Sequence, residues 1–275
     1  MGTHSHNQEP FGAYALPPTR ERLRKRADRC ANTRLGKWRI SALRKRAIRG
    51  LSEPFDITVA PHLNARLYPS GNRCEKRALA GVQIWDSEER AALHSAVIES
   101  RDEFVFLDVG ANAGLYTLFV NAYAKEAARP VRLIAVEPSQ LMADRLAFNA
   151  EASEASVTLI KSAISDAPGQ AFLSQGEQNL GETKLSTQGE AVTVETLFGL
   201  CERLGVNRID AMKIDIEGHD EIALRAFFKD APETLHPTLL IAEMGGSDDP
   251  IVELAQSHDY LVTNTTALNA ILKKR

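Results

Sequence analysis

The stretch VFLDVGANAGLYTLFVNAYA, Val105 to Ala124, changes its hydrophobic period halfway along and so decides the fold. Phe104 to Leu107 and Val109 form an apolar, strand-prone run around one acid, Asp108. The run stops at Gly110-Ala-Asn112-Ala-Gly114, after which Leu115, Leu118, Phe119 and Ala122 recur at helical spacing. A short apolar run, a glycine turn and a 3.6-residue period read as strand, turn, helix. Glycines without a Cβ permit a sharp turn and close approach of backbone to a small ligand, and a helix starting there presents N–H groups with no intrahelical acceptor.

A nucleotide-type ligand suits such a cradle, and spacing separates the candidates. A dinucleotide fold uses G-x-G-x-x-G, with the pyrophosphate on the helix N-terminus. Here the turn reads G-x-N-x-G, with Asn112 in place of the second glycine and Asp108 two residues ahead of the turn. D-x-G-x-N-x-G resembles the first motif of Rossmann-like methyltransferases, whose turn cradles the methionine part of S-adenosylmethionine (SAM). A second strand, 131–136, ends in Glu137-Pro138-Ser139. That is one βαβ step later, where an acid accepts hydrogen bonds from ribose hydroxyls.

Outward from this core the pattern alternates: strand 104–109, helix 114–126, strand 131–136, helix 139–151, strand 156–161, then strand 211–216, helix 219–228, strand 238–243 and helix 250–257. Runs 260–263 and 270–273 read as a closing hairpin. This predicts an α/β, Rossmann-like fold: a mostly parallel seven-stranded sheet, helices on both faces and a C-terminal antiparallel hairpin. The middle interrupts the alternation. Runs 170–174 and 191–196 look extended around a polar stretch, 175–189, and long polar loops in compact domains are often functional lids. Helical periodicity resumes over 195–204.

Upstream, residues 1–19 are polar, end near Pro17-Pro18, and are expected to be a disordered tail. Residues 20–50 read as a basic helical arm: Arg20 to Arg49 holds thirteen Lys or Arg against Glu21 and Asp28, in a chain of net charge −3. Residues 51–103 are strand-rich at 57–60 and 65–68 and end in a helix, 88–100; the domain proper is 104–275. A chain of 275 residues with 44% hydrophobic content can build one α/β core of ordinary size. No run reaches the roughly 18 apolar residues of a spanning helix. The first residues lack the charged-then-apolar order of a secretory signal, and Cys30, Cys74 and Cys201 are unclustered, so the cytoplasm is the expected compartment.

The second chemical run is AMKIDIEGHD, Ala211 to Asp220. Period two puts Lys213, Asp215 and Glu217 on one side of the chain and Met212, Ile214 and Ile216 on the other. Three charges on one side of a central strand either pair or line a cleft, and open α/β sheets bind ligands beyond the carboxyl ends of their strands. A buried Lys213–Asp215 couple that merely fixes the loop is the other reading.

Taken in order and spacing, LDVGANAGLYTL, AVEPS, MKIDIEGHD and LLIAEM resemble the FkbM family of SAM-dependent methyltransferases. The resemblance runs from about Phe55 to the C-terminus, since NARLYP, NRCEKRAL and WDSEER are similar to the segment preceding the family's core; the basic arm lies outside it. It implies SAM as cofactor and O-methylation of a hydroxyl on a sugar, glycolipid or polyketide-type natural product. It further implies that Asp108, Gly110, Asn112 and Gly114 shape the methionine end, that Glu137 takes the ribose, that Ser162, Ala163 and Ile164 lie at the adenine, and that Asp215, Glu217 and His219 face the acceptor. Glu195 departs from the aspartate of the family pattern and leaves the start of helix 195–204 open.

Methyl transfer to an alcohol needs in-line placement of the two reacting atoms and a base for the hydroxyl proton. His219, Asp215 and Glu217 are the candidates, histidine because imidazole titrates near about pH 6.5. A divalent ion on Asp215 with Glu217 or Glu243 is an alternative, but no full ligand set is visible and no metal is expected. No N-P-P-Y-like run follows the fourth strand, and the Lys-Asp-Lys-Glu set of ribose 2′-O-methyltransferases is missing. An RNA methyltransferase is therefore the weaker alternative, beside a non-catalytic SAM-binding domain that serves a surface. The arm, 20–49, either packs on the acidic domain or meets an anionic membrane surface, which would place the protein peripherally on it.

Overall fold

A computed structural model describes residues 9–175, 183–186, 189–244 and 249–275. In chain order it shows α1 (Pro18–Ala27), α2 (Arg34–Ile48), the hairpin strands β1 (Phe55–Ala60) and β2 (Leu63–Leu67), α3 (Arg73–Leu79) and α4 (Ser87–Glu99). The alternating core follows with β3 (Phe104–Val109), α5 (Leu115–Glu126), β4 (Val131–Val136), α6 (Gln140–Ala152) and β5 (Val157–Ile160). Next come β6 (Ala163–Ile164), β7 (Gly169–Gln175), β8 (Thr183–Ser186) and β9 (Glu190–Glu195), then α7 (Leu197–Leu204), β10 (Ala211–Ile214), α8 (Asp220–Asp230), β11 (Leu239–Glu243), α9 (Pro250–Ser257), β12 (Tyr260–Thr265) and β13 (Asn269–Lys274).

The central sheet has seven strands in the order β12-β13-β11-β10-β3-β4-β5. Five run parallel, while β13 lies antiparallel between β11 and β12, closing the sheet with the expected hairpin. The period-two alternation of each strand divides the core. Phe104, Phe106, Leu133, Ala135, Ala211 and Ile241 pack on one face with α4, α5, α6 and the β1–β2 hairpin. Val105, Leu107, Val109, Ile134, Met212, Ile214 and Leu240 pack on the other with α7, α8 and α9. Burial on both faces is why these parallel strands read as continuous apolar runs, and why Asp108 and Lys213 stand out within them.

Three expectations change. The polar middle forms a second sheet in the order β6-β9-β7-β8, with β6 parallel to β9; positions 176–182 and 187–188 of the expected lid lie outside the described residues. Strand β9 runs to Glu195, and α7 starts only after Thr196, whose hydroxyl caps it by accepting from the Gly199 N–H at 3.0 Å. Residues 9–17, expected within a disordered tail, are pinned to the hairpin, whereas 1–8 lie outside the described residues. The Asp56 carboxylate accepts from the Gly12 and Tyr14 N–H groups at 2.7 and 3.1 Å. Its buried partner Arg66, 2.7 Å away, donates to the Glu9 and Pro10 carbonyls. A buried ion pair needs its remaining donors and acceptors satisfied, and the polar tail supplies the groups.

The arm is also attached. Ala27 and Ile40 are buried with Ala80, and Arg24, 2% exposed, donates to Glu21, Asp28 and the Leu79 carbonyl. No helix among the described residues is long and apolar enough to cross a membrane.

Candidate functional site

The turn after β3 holds three left-handed residues: Gly110, Asn112 and Gly114 have φ of +80°, +53° and +83°. Asparagine tolerates this region better than most side chains. The turn is fastened to β4, where the Gly110 and Ala111 N–H groups both donate to the Val136 carbonyl. Glu137 holds it from the side: one carboxylate oxygen accepts from the Asn112 N–H at 2.7 Å and the other from the Ser139 N–H at 2.9 Å. The Asn112 side chain accepts from its neighbour Ala113 and from Asn72 Nδ2, at 2.7 and 2.6 Å.

The glycines owe their identity to protein rather than to open ligand space. A Cβ on Gly110 would overlap the Asp215 carbonyl, lying 2.9 Å from its carbon, and one on Gly114 would lie 2.7 Å from Leu146 Cγ on α6. Gly110 is therefore where the cofactor turn touches the end of β10. Gly114 is a packing residue behind the turn and does not line the cavity, a correction to its expected place in the site.

The other expected site residues converge on one cavity beyond the carboxyl ends of the strands. Asp108, Gly110, Asn112, Glu137, Ser162, Ala163, Asp215, Glu217 and His219 all line it. Period two did not carry as far as expected, because β10 ends at Ile214 and Glu217 sits in the following turn at φ +55°. His219 occupies the residue before α8 without capping it by its side chain. Ser162 donates to Glu195 at 2.6 Å, and Glu195 is paired with Arg203 at 2.7 Å. The longer acid at 195 thus ties α7 to the loop after β5.

Several lining residues were missed by site reasoning: Asn72, Cys74 and Arg77 at α3, Trp85, Asp86, and Tyr116 on α5. For all but Tyr116, which stands in the glycine-turn stretch itself, the signal lay in NRCEKRAL and WDSEER, where similarity of sequence carried no chemical role. Asn72 links that segment to the turn, capping α3 with its oxygen while its amide donates to Asn112.

The floor of the cavity is a charge cluster. Asp108 and Lys213 are register partners on β3 and β10, both nearly inaccessible, and Lys213 Nζ contacts Asp215 at 2.8 Å under the Tyr116 ring. Asp108 receives the Thr117 N–H and hydroxyl at 3.0 and 2.6 Å through one oxygen. Among the described residues its other oxygen is buried without a partner, as is His219 Nδ1. Burial raises Asp108, while Lys213 opposes the shift. Burial also lifts Glu137 to about 7 against the two N–H groups it accepts.

Glu243, at the end of the adjacent strand β11, shares a hydrogen bond with Asp215. Burial and then the Asp215 charge push Glu243 up to about 8, whereas Lys213 overcomes burial and holds Asp215 low. Of the two, Glu243 is the one that holds a proton more tightly. Among the described residues no three His, Cys, Asp or Glu side chains are grouped to ligate a metal ion.

A family model described as the methyltransferase FkbM domain matches residues 108–274. No curated protein matches the chain. Similar solved structures include the precorrin-6y C5,15-methyltransferase from Geobacter metallireducens GS-15, at 16% identity and a TM-score of 0.41 over 70% of this chain and 90% of that one. A SAM-dependent methyltransferase from Agrobacterium tumefaciens shows 13% identity and a TM-score of 0.46 over 82% and 70% of the two chains. A human methyltransferase 10 domain containing protein shows 11% identity and a TM-score of 0.42 over 70% and 81%.

Proposed function

This chain belongs to the FkbM methyltransferase family and takes SAM as its cofactor, and we propose that it methylates a hydroxyl oxygen of a sugar, glycolipid or polyketide-type natural product. The observation that carries an oxygen acceptor is the Asp215–Glu243 carboxyl pair facing the same cavity as the glycine turn. An alcohol must lose its proton as it attacks, and a base whose pKa lies near the working pH serves best.

The residues fit the cofactor by donor and acceptor chemistry. The unpartnered Asp108 oxygen suits an ammonium group. Glu137 has lone pairs beyond the two it gives the backbone and suits ribose hydroxyls. Ser162, Ala163 and Ile164, with Leu173 beside them, offer a largely apolar slot for the adenine. SAM, when bound, supplies an electrophilic methyl group on a sulfonium.

Asp215, kept ionised by Lys213, accepts the hydrogen bond of the incoming hydroxyl and orients it. As the oxygen attacks, its proton passes to Asp215, and Glu243, once ionised, takes it on from there. His219 offers its unpartnered Nδ1 to a neighbouring group on the acceptor. Methylation with methyl-labelled SAM on a hydroxyl-rich extract tests this. The expected product holds its label through mild alkali, as an ether does, and prior O-acetylation of the extract blocks uptake. Alkali-labile label, or label that follows RNA instead, would overturn the oxygen-acceptor reading.

A further inference from the structure

The helical period of α2 gives the arm two faces. Gly36, Ile40 and Ala47 are buried toward the domain, and Leu43 packs beside Ile40. At roughly 3.6 residues per turn, Trp38 falls opposite that stripe, with Leu35 and Ala42 next to it. Trp38 and Leu35 are 68% and 64% exposed, more than any other large apolar side chain among the described residues. A single exposed leucine is ordinary. A tryptophan and a leucine one turn apart, on the outer side of a helix already docked by its inner side, make a patch.

Cations surround this patch. Arg34, Arg39, Lys45 and Arg46 are exposed on the same half of α2. The arm's two acids are engaged elsewhere: Glu21 and Asp28 both hold the buried Arg24, and Asp28 also accepts from the Gly81 N–H at 2.7 Å. Among the described residues the four exposed cations enter no ion pair. Lys37 and Arg44 are not counted with them, because they line a neighbouring cavity together with Asp86, Glu88 and Glu89, where charges balance. The excess positive charge therefore sits around Trp38 and Leu35.

We propose that this outer face docks on an anionic membrane surface, with Trp38 and Leu35 at the headgroup boundary and the four cations on anionic headgroups. An indole favours that boundary because an apolar ring carries one polar N–H. Long basic side chains lay their stems along apolar surface while their heads reach outward. A helix with a narrow apolar stripe and cationic flanks lies in the plane of the interface. Two large apolar side chains fall far short of the roughly 800 Å² per partner that a stable protein interface buries, so a second copy of the chain is a poor occupant. A nucleic acid backbone would use the cations but not Leu35.

The full chain is floated with phosphatidylcholine vesicles with and without phosphatidylserine while tryptophan emission is read. Trp85 is buried, so a shift reports Trp38. Anionic vesicles are expected to carry the protein and move the emission to the blue, and added salt to reverse both. Trp38→Ala should remove the shift, and Arg39→Gln combined with Lys45→Gln should weaken binding about fivefold per charge. All three side chains are exposed, so unchanged melting of these variants reports an intact fold. Equal recovery with both kinds of vesicle, recovery with neither, or anionic binding that survives both variants would overturn the proposal. Tight binding of single-stranded RNA without vesicle recovery would give the face to nucleic acid instead, and a blue shift that grows with protein concentration in the absence of lipid would give it to a second copy. None of these readouts needs methyl transfer, so they stand or fall apart from the alkali-stability test.

Discussion

Replacing Gly110 by alanine should damage the protein through Asp215 rather than by filling ligand space. Two costs add. At φ +80° an L side chain is strained by about 1–2 kcal/mol. The new Cβ would also overlap the Asp215 carbonyl, lying 2.9 Å from its carbon, and backbone cannot swing aside as a side-chain tip can; such overpacking costs about 1–3 kcal/mol. The sum, roughly 2–5 kcal/mol, is a large part of the roughly 5–15 kcal/mol that stabilises a typical domain. It corresponds to a melting temperature lower by roughly 5–15 °C in a chain of this size. Gly218 is the control: it has φ +92° but open space around its would-be Cβ, so Gly218→Ala should bear the strain alone and lose only a few degrees. Scanning calorimetry of both variants decides the matter. If Gly110→Ala melts no lower than Gly218→Ala, the close contact between the turn and the end of β10 does not govern this glycine.

Other perturbations test the electrostatics and the arm. Methyl transfer should rise with pH through about 8 as Glu243 loses the proton it shares with Asp215, and Glu243→Gln should remove that rise; a profile flat on both sides of that pH would exclude the pair as base. SAM affinity should fall as pH drops through about 7, by up to about tenfold per pH unit. The sign follows because burial raises Glu137, so the free protein is protonated below that pH, while ribose hydroxyls need the carboxylate. Calorimetric titration should find Glu137→Gln weak and independent of pH, and retained pH dependence in that variant would assign it elsewhere. Deleting residues 1–49 should lower the melting temperature by several degrees, since Ala27 and Ile40 cover Ala80 and the tail satisfies Asp56 and Arg66; an unchanged melting curve would show the arm to be energetically uncoupled.

The sheet was legible because both its faces are buried, which writes each strand as an apolar run and leaves Asp108 and Lys213 conspicuous. The turn was legible because left-handed backbone restricts residue choice. What excludes a Cβ there was not: a glycine reports that space is short, not which atom occupies it, and at Gly110 and Gly114 those atoms belong to Asp215 and Leu146. From the sequence, Glu243 is grouped with Asp215 only as a candidate ligand for a divalent ion, not as a partner in holding a proton. Its proximity to Asp215 follows only from β10 and β11 being neighbours, which strand ends of equal height on adjacent parallel strands make available once the order is known. The tail read as disordered because its composition is polar, and composition is silent on a buried Asp56–Arg66 pair elsewhere in the chain that needs backbone partners.

The distribution of charge in the inner cavity suits a cationic cofactor. Asp108, Glu137, Asp215 and Glu243 surround the inner cavity with Lys213 buried among them, and burial works to raise all four. Concentrating acids in a poorly solvated place is costly unless a cation arrives, and a sulfonium with an ammonium is such a ligand. Lys213 neutralises enough of the set to keep Asp215 ionised before the cofactor enters, so the acceptor-facing oxygen is not lost to protonation.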